Sequence, residues 1–553
     1  MAADERDSPL RLGPMLRYAD ENSVSIWVQT HQAATVSVHA DGREWSARTF
    51  TAHGFHYALV LVTGLAPASR LPYTVAIDGA EVWPPPASTF PPSVIRTIDP
   101  ARPTRLAFGS CRTTAGHDPD AVAMHGIDAL RSYGMALARD RAAVHWPDVL
   151  LFLGDQVYAD EVVNPEMLAV IHARRAPGEE PQDEIRDYVE YDHLYQLAWL
   201  DPVVRWLLST IPSAMIFDDH DVRDDWNTSY AWRHEITQLP WWQLRIESAL
   251  ASYWVYQHAG NLAPRDLAAD EIWRRVQAAK DGGEVDITAA LDALADRADE
   301  HPETYRWSYT RDLGDSLLIV LDSRAARELQ PERRSMLDER ELAWLDDQLR
   351  GGCDHVFIGT SLPFLLPPGL HDLEAVDEQL ANGSFGPRLA RLGEKLRQAV
   401  DLEHWAAFTS GFDDVFAMVI DLARGGRGPA PATITFLSGD VHNSYLAEVT
   451  ELGRYAAQSR IIQAVASPMR NPMPRWLRIA ISLVAKRLVR PMRFLANRSA
   501  RIGDPKYPWT VTHGPWFDNN VAVCEVCGRG LRLSWWAGTA DDGLRSVADI
   551  TLS

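Results

Sequence analysis

Five short apolar runs in this chain stop abruptly on acidic, thiol, phenol or imidazole groups: FGSCR (Phe108 to Arg112), LFLGDQVYAD (Leu151 to Asp160), MIFDDHD (Met215 to Asp221), IVLDSR (Ile319 to Arg324) and FLSGDVH (Phe436 to His442). Runs of this length and composition read as buried strands. In open α/β sheets, ligands bind just beyond the carboxyl ends of the strands. The five endings therefore predict that Cys111, Asp155, Tyr158, Asp219, His220, Asp440 and His442 converge on a single polynuclear metal centre.

A chain of 553 residues exceeds one ordinary hydrophobic core and predicts two units. Its formal net charge of −21 argues against general nucleic-acid binding and against affinity for anionic membranes, since polyanions are normally met by basic surfaces. Four cysteines are too few for a disulfide-stapled scaffold. Cys524 and Cys527 form a lone CxxC in a stretch that alternates like a β-hairpin; at that spacing they face opposite sides of a strand, which suits packing rather than chelation. The amino-terminal residues show neither a secretory nor a twin-arginine pattern, and no run approaches a membrane span, so a cytoplasmic location is expected.

From Leu10 to Ile98 period-two alternation places Val24, Ile26 and Val28 on one face, then Val36 and Val38, then Tyr57, Leu59 and Leu61, then Tyr73, Val75 and Ile77. This predicts a small immunoglobulin- or fibronectin-like β-sandwich over residues 1–98, ending in the Pro-rich linker WPPPASTFPPS. Residues 99–553 read as one catalytic unit of layered α/β architecture. Strands are expected near Arg105 to Ser110, Asp148 to Gly154, Ala214 to Phe217, Leu317 to Leu321, His355 to Gly359 and Thr433 to Ser438. Helices are expected over Ala121 to Arg141, Tyr188 to Ser209, Trp241 to His258 and Glu339 to Leu349. Between Arg454 and Arg501 there are basic residues but no Asp or Glu, and WLRIAISLVAKRLVRPMRFL has the spacing of an amphipathic helix. That helix packs on the body with its Arg heads in water, or it touches a membrane surface or draws in anionic substrates.

Each motif carries its own chemistry. Asp155 can bridge two cations. Tyr158, a phenol of unperturbed pKa about 10, becomes an anionic ligand at neutral pH only beside a strong Lewis acid such as ferric iron, and a metal-bound thiol at Cys111 is deprotonated in the same way. Asp160 can add another oxygen ligand. In DDHD, Asp219 is expected to be a ligand, His220 a general acid or a transition-state contact, and Asp221 the group that orients His220. Asp440 and His442, two apart, reach one cluster from an extended backbone. Oxygen-rich ligation of the second metal favours Ca²⁺, Mg²⁺ or Mn²⁺ over zinc. Arg112 and Arg324 are candidates for phosphate oxygens, with a structural salt bridge as the alternative for each.

SCR, GDQVYAD, DDHDVRDDW and SGDVH, in this order, resemble the motifs of the PhoD-like alkaline phosphatases, a branch of the calcineurin-like metallophosphoesterases related to purple acid phosphatases. The resemblance covers nearly everything after residue 100. It implies a four-layer αββα sandwich, Fe³⁺ held near Cys111, Asp155, Tyr158 and His442, Ca²⁺ near Asp155, Asp219 and Asp440, and a further calcium site that includes Asp160. The relatives often carry a twin-arginine signal that is not seen here, and GTSLPFLL (Gly359 to Leu366) stands where purple acid phosphatases have a His-containing motif, which fits calcium better than zinc. The expected reaction is hydrolysis of small-molecule phosphate mono- or diesters by a metal-bound hydroxide, His220 protonating the leaving group. The alternatives are a metal-stabilised binding or regulatory protein without turnover, and a peripheral membrane enzyme that cleaves phospholipid diesters.

Overall fold

The computed structural model describes residues 8–140, 145–279, 283–330, 333–381, 386–399, 402–474, 476–478 and 505–553. Its centre is built from strands buried on both faces, such as Val149–Leu153, Ser213–Ile216 and Thr433–Ser438. Strands of this kind belong to sheets covered on both sides. Two such sheets are present. One has six strands in the order Ser213–Ile216, Val149–Leu153, Arg105–Gly109, Asn520–Cys527, Gly530–Gly538, Leu544–Leu552; its first three are parallel and the rest antiparallel. The other has seven, in the order Tyr309–Asp312, Ser316–Leu321, His355–Thr360, Thr433–Ser438, Arg460–Val465, Ser444–Val449, Trp509–Trp516, with the second to fifth strands parallel.

Successive side chains of a strand point to opposite faces, and this alternation sorts the seven-stranded sheet between two cores. Leu318, Val320, Phe357, Leu437 and Ile462 join Phe108 and Leu151 of the six-stranded sheet. Ile319, Leu321, Val356, Ile358, Ile434 and Phe436 join Phe412, Val415, Phe416 and Val419 of the helix Thr409–Ala423. Gly359 lets the two sheets approach, because a Cβ there would sit 3.2 Å from Leu153 and 3.3 Å from Leu151. Helix Ala129–Arg139 lies against strands Asn520–Cys527 and Gly530–Gly538.

The amino-terminal region consists of two antiparallel sheets. One holds Leu10–Ala19, Val24–Thr30, Phe55–Val62 and Phe50–Ala52; the other holds Arg43–Arg48, Thr35–Ala40, Arg70–Ile77 and Ala80–Trp83, with Val94–Arg96 beside Arg70–Ile77. Val24, Ile26, Val28, Val36, Val38, Val75 and Ile77 share the core between them. The opposite face of the first sheet is apolar as well: Leu12, Met15, Trp27, Tyr57 and Leu59 belong to the main core, and the Trp27 and Tyr256 rings lie 5.3 Å apart.

The six expected central strands are present to within a residue or two. Three expected helices are interrupted. The first is split into Pro119–His125 and Ala129–Arg139 at Gly126, whose φ is 72°. The second is split at Asp201, which caps a new helix from Pro202. The third ends as α-helix at Tyr253 and continues as a π-turn, Trp254–His258. Cys524 is buried and Cys527 exposed on one strand, on opposite faces as expected. Most of the basic amphipathic stretch falls in 479–504, outside the described residues. No helix among the described residues is long and apolar enough to cross a membrane.

Candidate metal centre

The parallel strands of both sheets deliver their carboxyl ends to one place. Cys111 follows Arg105–Gly109, Asp155 follows Val149–Leu153, Asp218 and Asp219 follow Ser213–Ile216, and Asp440 follows Thr433–Ser438. At four predicted ligands the backbone is left-handed: φ is 56° at Cys111, 52° at Asp155, 62° at Asp440 and 47° at His442. Non-glycine residues adopt this region at a cost of about 1–3 kcal/mol each, and such residues cluster at functional sites. Neighbouring groups hold the strained turns. The Asp155 amide donates to Asp221 Oδ2 at 2.8 Å, the Asp440 amide to Ser110 Oγ at 3.0 Å and the Arg112 amide to the Asp155 carbonyl at 3.1 Å.

One oxygen from each of Asp155, Asp218, Asp219 and Asp440 lies within 4.8 Å of all the others. Asp155 Oδ1 and Asp218 Oδ2 are buried with no hydrogen-bond partner. A buried carboxylate oxygen in that state is costly, and a cation is the group that would satisfy four converging oxygens. Burial, reinforced by neighbouring carboxylates, raises the Asp155 carboxyl well above the usual range. Cys111 Sγ lies 3.0 Å from Ser110 Oγ, 3.2 Å from Ser467 Oγ and 3.5 Å from the Asp440 carbonyl. Burial, then Asp155 and Asp440, push this thiol up. The Tyr158 hydroxyl sits 3.4 Å from Asp155 Oδ2, and burial, Cys111 and Asp155 push it up too. Burial lowers the His442 imidazole to about 4, leaving it in the neutral form that ligates metals. The cluster of four carboxylates thus fits a hard cation, whose charge would reverse the upward shifts of the groups beside it.

His220 is oriented from a side not expected. Asp160, proposed as a metal ligand, accepts from His220 Nδ1 at 2.9 Å and from the Asp224 amide. Burial works against charge on His220, but Asp160 and Asp219 outweigh it and raise the imidazole well above its ordinary value. Its ring lies 4.6 Å from that of Tyr158. Asp221, expected to orient His220, instead ties the loops together, accepting from the amides of Asp155, Asp218 and Val157 at 2.8, 2.9 and 3.3 Å. Asp219, His220 and Asp224 form a second group with metal-binding spacing.

Both arginines named as candidates for phosphate oxygens are committed inside the protein. Arg112 reaches Asp128 through Nε at 3.0 Å and Nη2 at 2.7 Å, and the Ala198 carbonyl through Nη1 at 2.7 Å. Arg324 is fully buried and pairs with Asp218 through Nε, with Asp219 at 3.1 Å and with Glu403 at 2.6 Å. The salt-bridge alternative is the one the geometry supports for each. Sequence reading missed Asp218, although it adjoins Asp219 in DDHD. It also missed Glu403, Glu374 and His404, which lie in no strand-end motif.

The profile of the PhoD-like phosphatases matches residues 128–472, and a domain of unknown function (DUF7800) matches residues 7–95. No curated protein matches the chain significantly. Among solved structures, one described as the structure of PhoD is 13% identical, with 99% of this chain and 94% of that chain covered and a TM-score of 0.57. A carbohydrate acetylesterase from Xanthomonas citri is 10% identical over 98% of this chain and 91% of that one; its TM-score of 0.20 is too low for comparison. The PhoD match supports the mixed α/β fold, and the profile covers more than half of the chain: it belongs to the PhoD-like phosphatase family.

Proposed function

We propose that this protein is a metal-dependent phosphoesterase acting on small-molecule phosphate mono- or diesters. The observation that carries the reading is the convergence of oxygens from Asp155, Asp218, Asp219 and Asp440 within 4.8 Å, at strand ends drawn from both central sheets. Cys111, Asp155, Tyr158 and His442 would hold Fe³⁺; Asp155, Asp219 and Asp440, joined by Asp218, would hold Ca²⁺, with Mn²⁺ or Mg²⁺ as substitutes. When bound, the cations supply a lowered pKa for coordinated water and offset charge on the phosphoryl oxygens.

The chain's own residues do the rest. Asp160 accepts from Nδ1 of His220, which keeps Nε2 available to give a proton to the leaving alkoxide. Asp221 anchors the amides of Asp155, Val157 and Asp218 and so fixes the Asp155 turn. Arg324 limits repulsion among the carboxylates without leaving the core. In this reading the two central sheets and their helices form a four-layer αββα sandwich, preceded by an immunoglobulin-like unit that ends near residue 98.

Hydrolysis of p-nitrophenyl phosphate and bis(p-nitrophenyl) phosphate tests the reading. Turnover is expected in the wild type, reduced about 10²–10⁴-fold in His220→Ala and at least as much in Asp155→Asn. Full activity in Asp155→Asn would sink it. Ferric tyrosinate should colour the protein, and Tyr158→Phe should bleach it.

A further inference from the structure

His404 lies buried against the metal centre, far in sequence from every strand-end motif. Its Nδ1 is 2.7 Å from Glu374 Oε1 and its Nε2 is 3.1 Å from Asp440 Oδ2. Each ring nitrogen therefore lies within hydrogen-bond distance of a carboxylate oxygen. A core histidine needs no such bracketing; a helix partner or a carbonyl would satisfy it. Here the imidazole links Glu374, on the helix Pro368–Ala381, to a carboxylate that belongs to the cluster of converging oxygens.

The preceding residue strengthens the case. Glu403 binds Arg324 at 2.6 Å and Arg327 at 3.2 Å, and Arg324 in turn comes within 3.8 Å of Asp440 Oδ1. Consecutive residues therefore act on the two oxygens of one carboxylate: His404 directly on Oδ2, Glu403 through Arg324 on Oδ1. A carboxylate fixed in this way keeps a lone pair on each oxygen for a cation and loses the freedom to rotate away from it.

We propose that Glu374 and His404 form a positioning pair for Asp440, an outer shell through which the helix Pro368–Ala381 sets the affinity of the oxygen-rich cation site. The proposal rests on the reading of Asp440 as a ligand. Outer partners of this kind are worth about 10–100-fold in metal affinity. The pair places an imidazole beside Asp440 from a position unrelated to GTSLPFLL, the stretch that stands where purple acid phosphatases have a His-containing motif.

Calcium bound by the full chain, equilibrated in calcium–chelator buffers and counted by elemental analysis, is the test. The free calcium needed for half-occupancy should rise about 10–100-fold in His404→Ala and by about 10-fold or more in Glu374→Gln. His404→Gln, which keeps one donor toward Asp440, should recover most of the loss. Melting in excess chelator, recorded for all variants, separates a general loss of stability from a loss of calcium affinity. Should His404→Ala fail to fold, Glu374→Gln decides. Half-occupancy unchanged in folded Glu374→Gln, or His404→Gln as weak as His404→Ala, overturns the positioning pair while leaving the metal centre intact. A wild type that takes up no divalent cation overturns the metal reading, and the pair with it.

Discussion

Arg112 and Arg324 both follow strand ends, yet both are held by carboxylates inside the protein. For Arg112 the consequence is measurable. Burial alone would raise the Asp128 carboxyl, but the charge and hydrogen bonds of Arg112 more than offset this and hold it at about 2, below the ordinary 3.8. A depressed carboxyl stabilises the fold above its unfolded pKa, and that contribution fades as pH falls toward the folded value. The shift from 3.8 to about 2 is worth about 2 kcal/mol. Arg112→Met leaves Asp128 buried without its partner and should cost about 3–5 kcal/mol at pH 7. In urea unfolding, the gap between wild type and variant should narrow between pH 4 and pH 3; a constant gap would contradict the assignment. Cys111, Asp155, Tyr158 and Asp440 were legible as candidate ligands because each follows the end of an apolar run. Asp128 and Ala198, which claim Arg112, were not, because no local pattern connects residues brought together only by the fold. His404 was invisible for the same reason.

Among the elements, strands were more legible than helices. Four to six consecutive apolar residues mark a strand that is buried on both faces, and tertiary packing has little room to redefine it. The helix expected over Tyr188 to Ser209 shows the opposite case: its apolar pattern continues across a break. The visible signal was Asp201–Pro202, a capping residue followed by proline at the first helical position. Asp201 Oδ1 accepts from the Val203 and Val204 amides, and its carboxylate also meets Arg131 at 3.2 Å. Asp201→Ala should destabilise the protein by about 1 kcal/mol or somewhat more. Asp201→Asn, which keeps the capping oxygen, should lose only part of that. Equal losses in the two variants, measured by chemical denaturation, would assign the effect to the Arg131 pair rather than to the cap.

At the scale of the whole molecule, the amino-terminal region is less separable than its linker-like Pro-rich stretch implied. Trp27, Tyr57 and Leu59 face the main core, and Arg17 donates to the Gln257 carbonyl and to Asn261 Oδ1. The sequence did contain a signal: in Phe55–Val62, Phe55, Tyr57, Leu59 and Leu61 alternate with Ala58, Val60 and Val62, so the strand is apolar on both faces, which a free-standing two-sheet unit does not need. Residues 99–553 expressed alone would expose the surface that Trp27 and its neighbours cover. The fragment should be insoluble or lack a cooperative melting transition in calorimetry. A soluble fragment melting within a few degrees of the full chain would show that the region is independent after all.

The pairing of Arg105–Gly109 with Asn520–Cys527 also has a bearing on biosynthesis. At about 5–20 residues per second, a ribosome needs on the order of 20–80 s to deliver the second strand after the first. Throughout that interval the nascent chain presents an open hydrogen-bonding edge next to the turn that carries Cys111, and such edges recruit other chains. Yield in the cell should therefore depend on what shields that edge during synthesis.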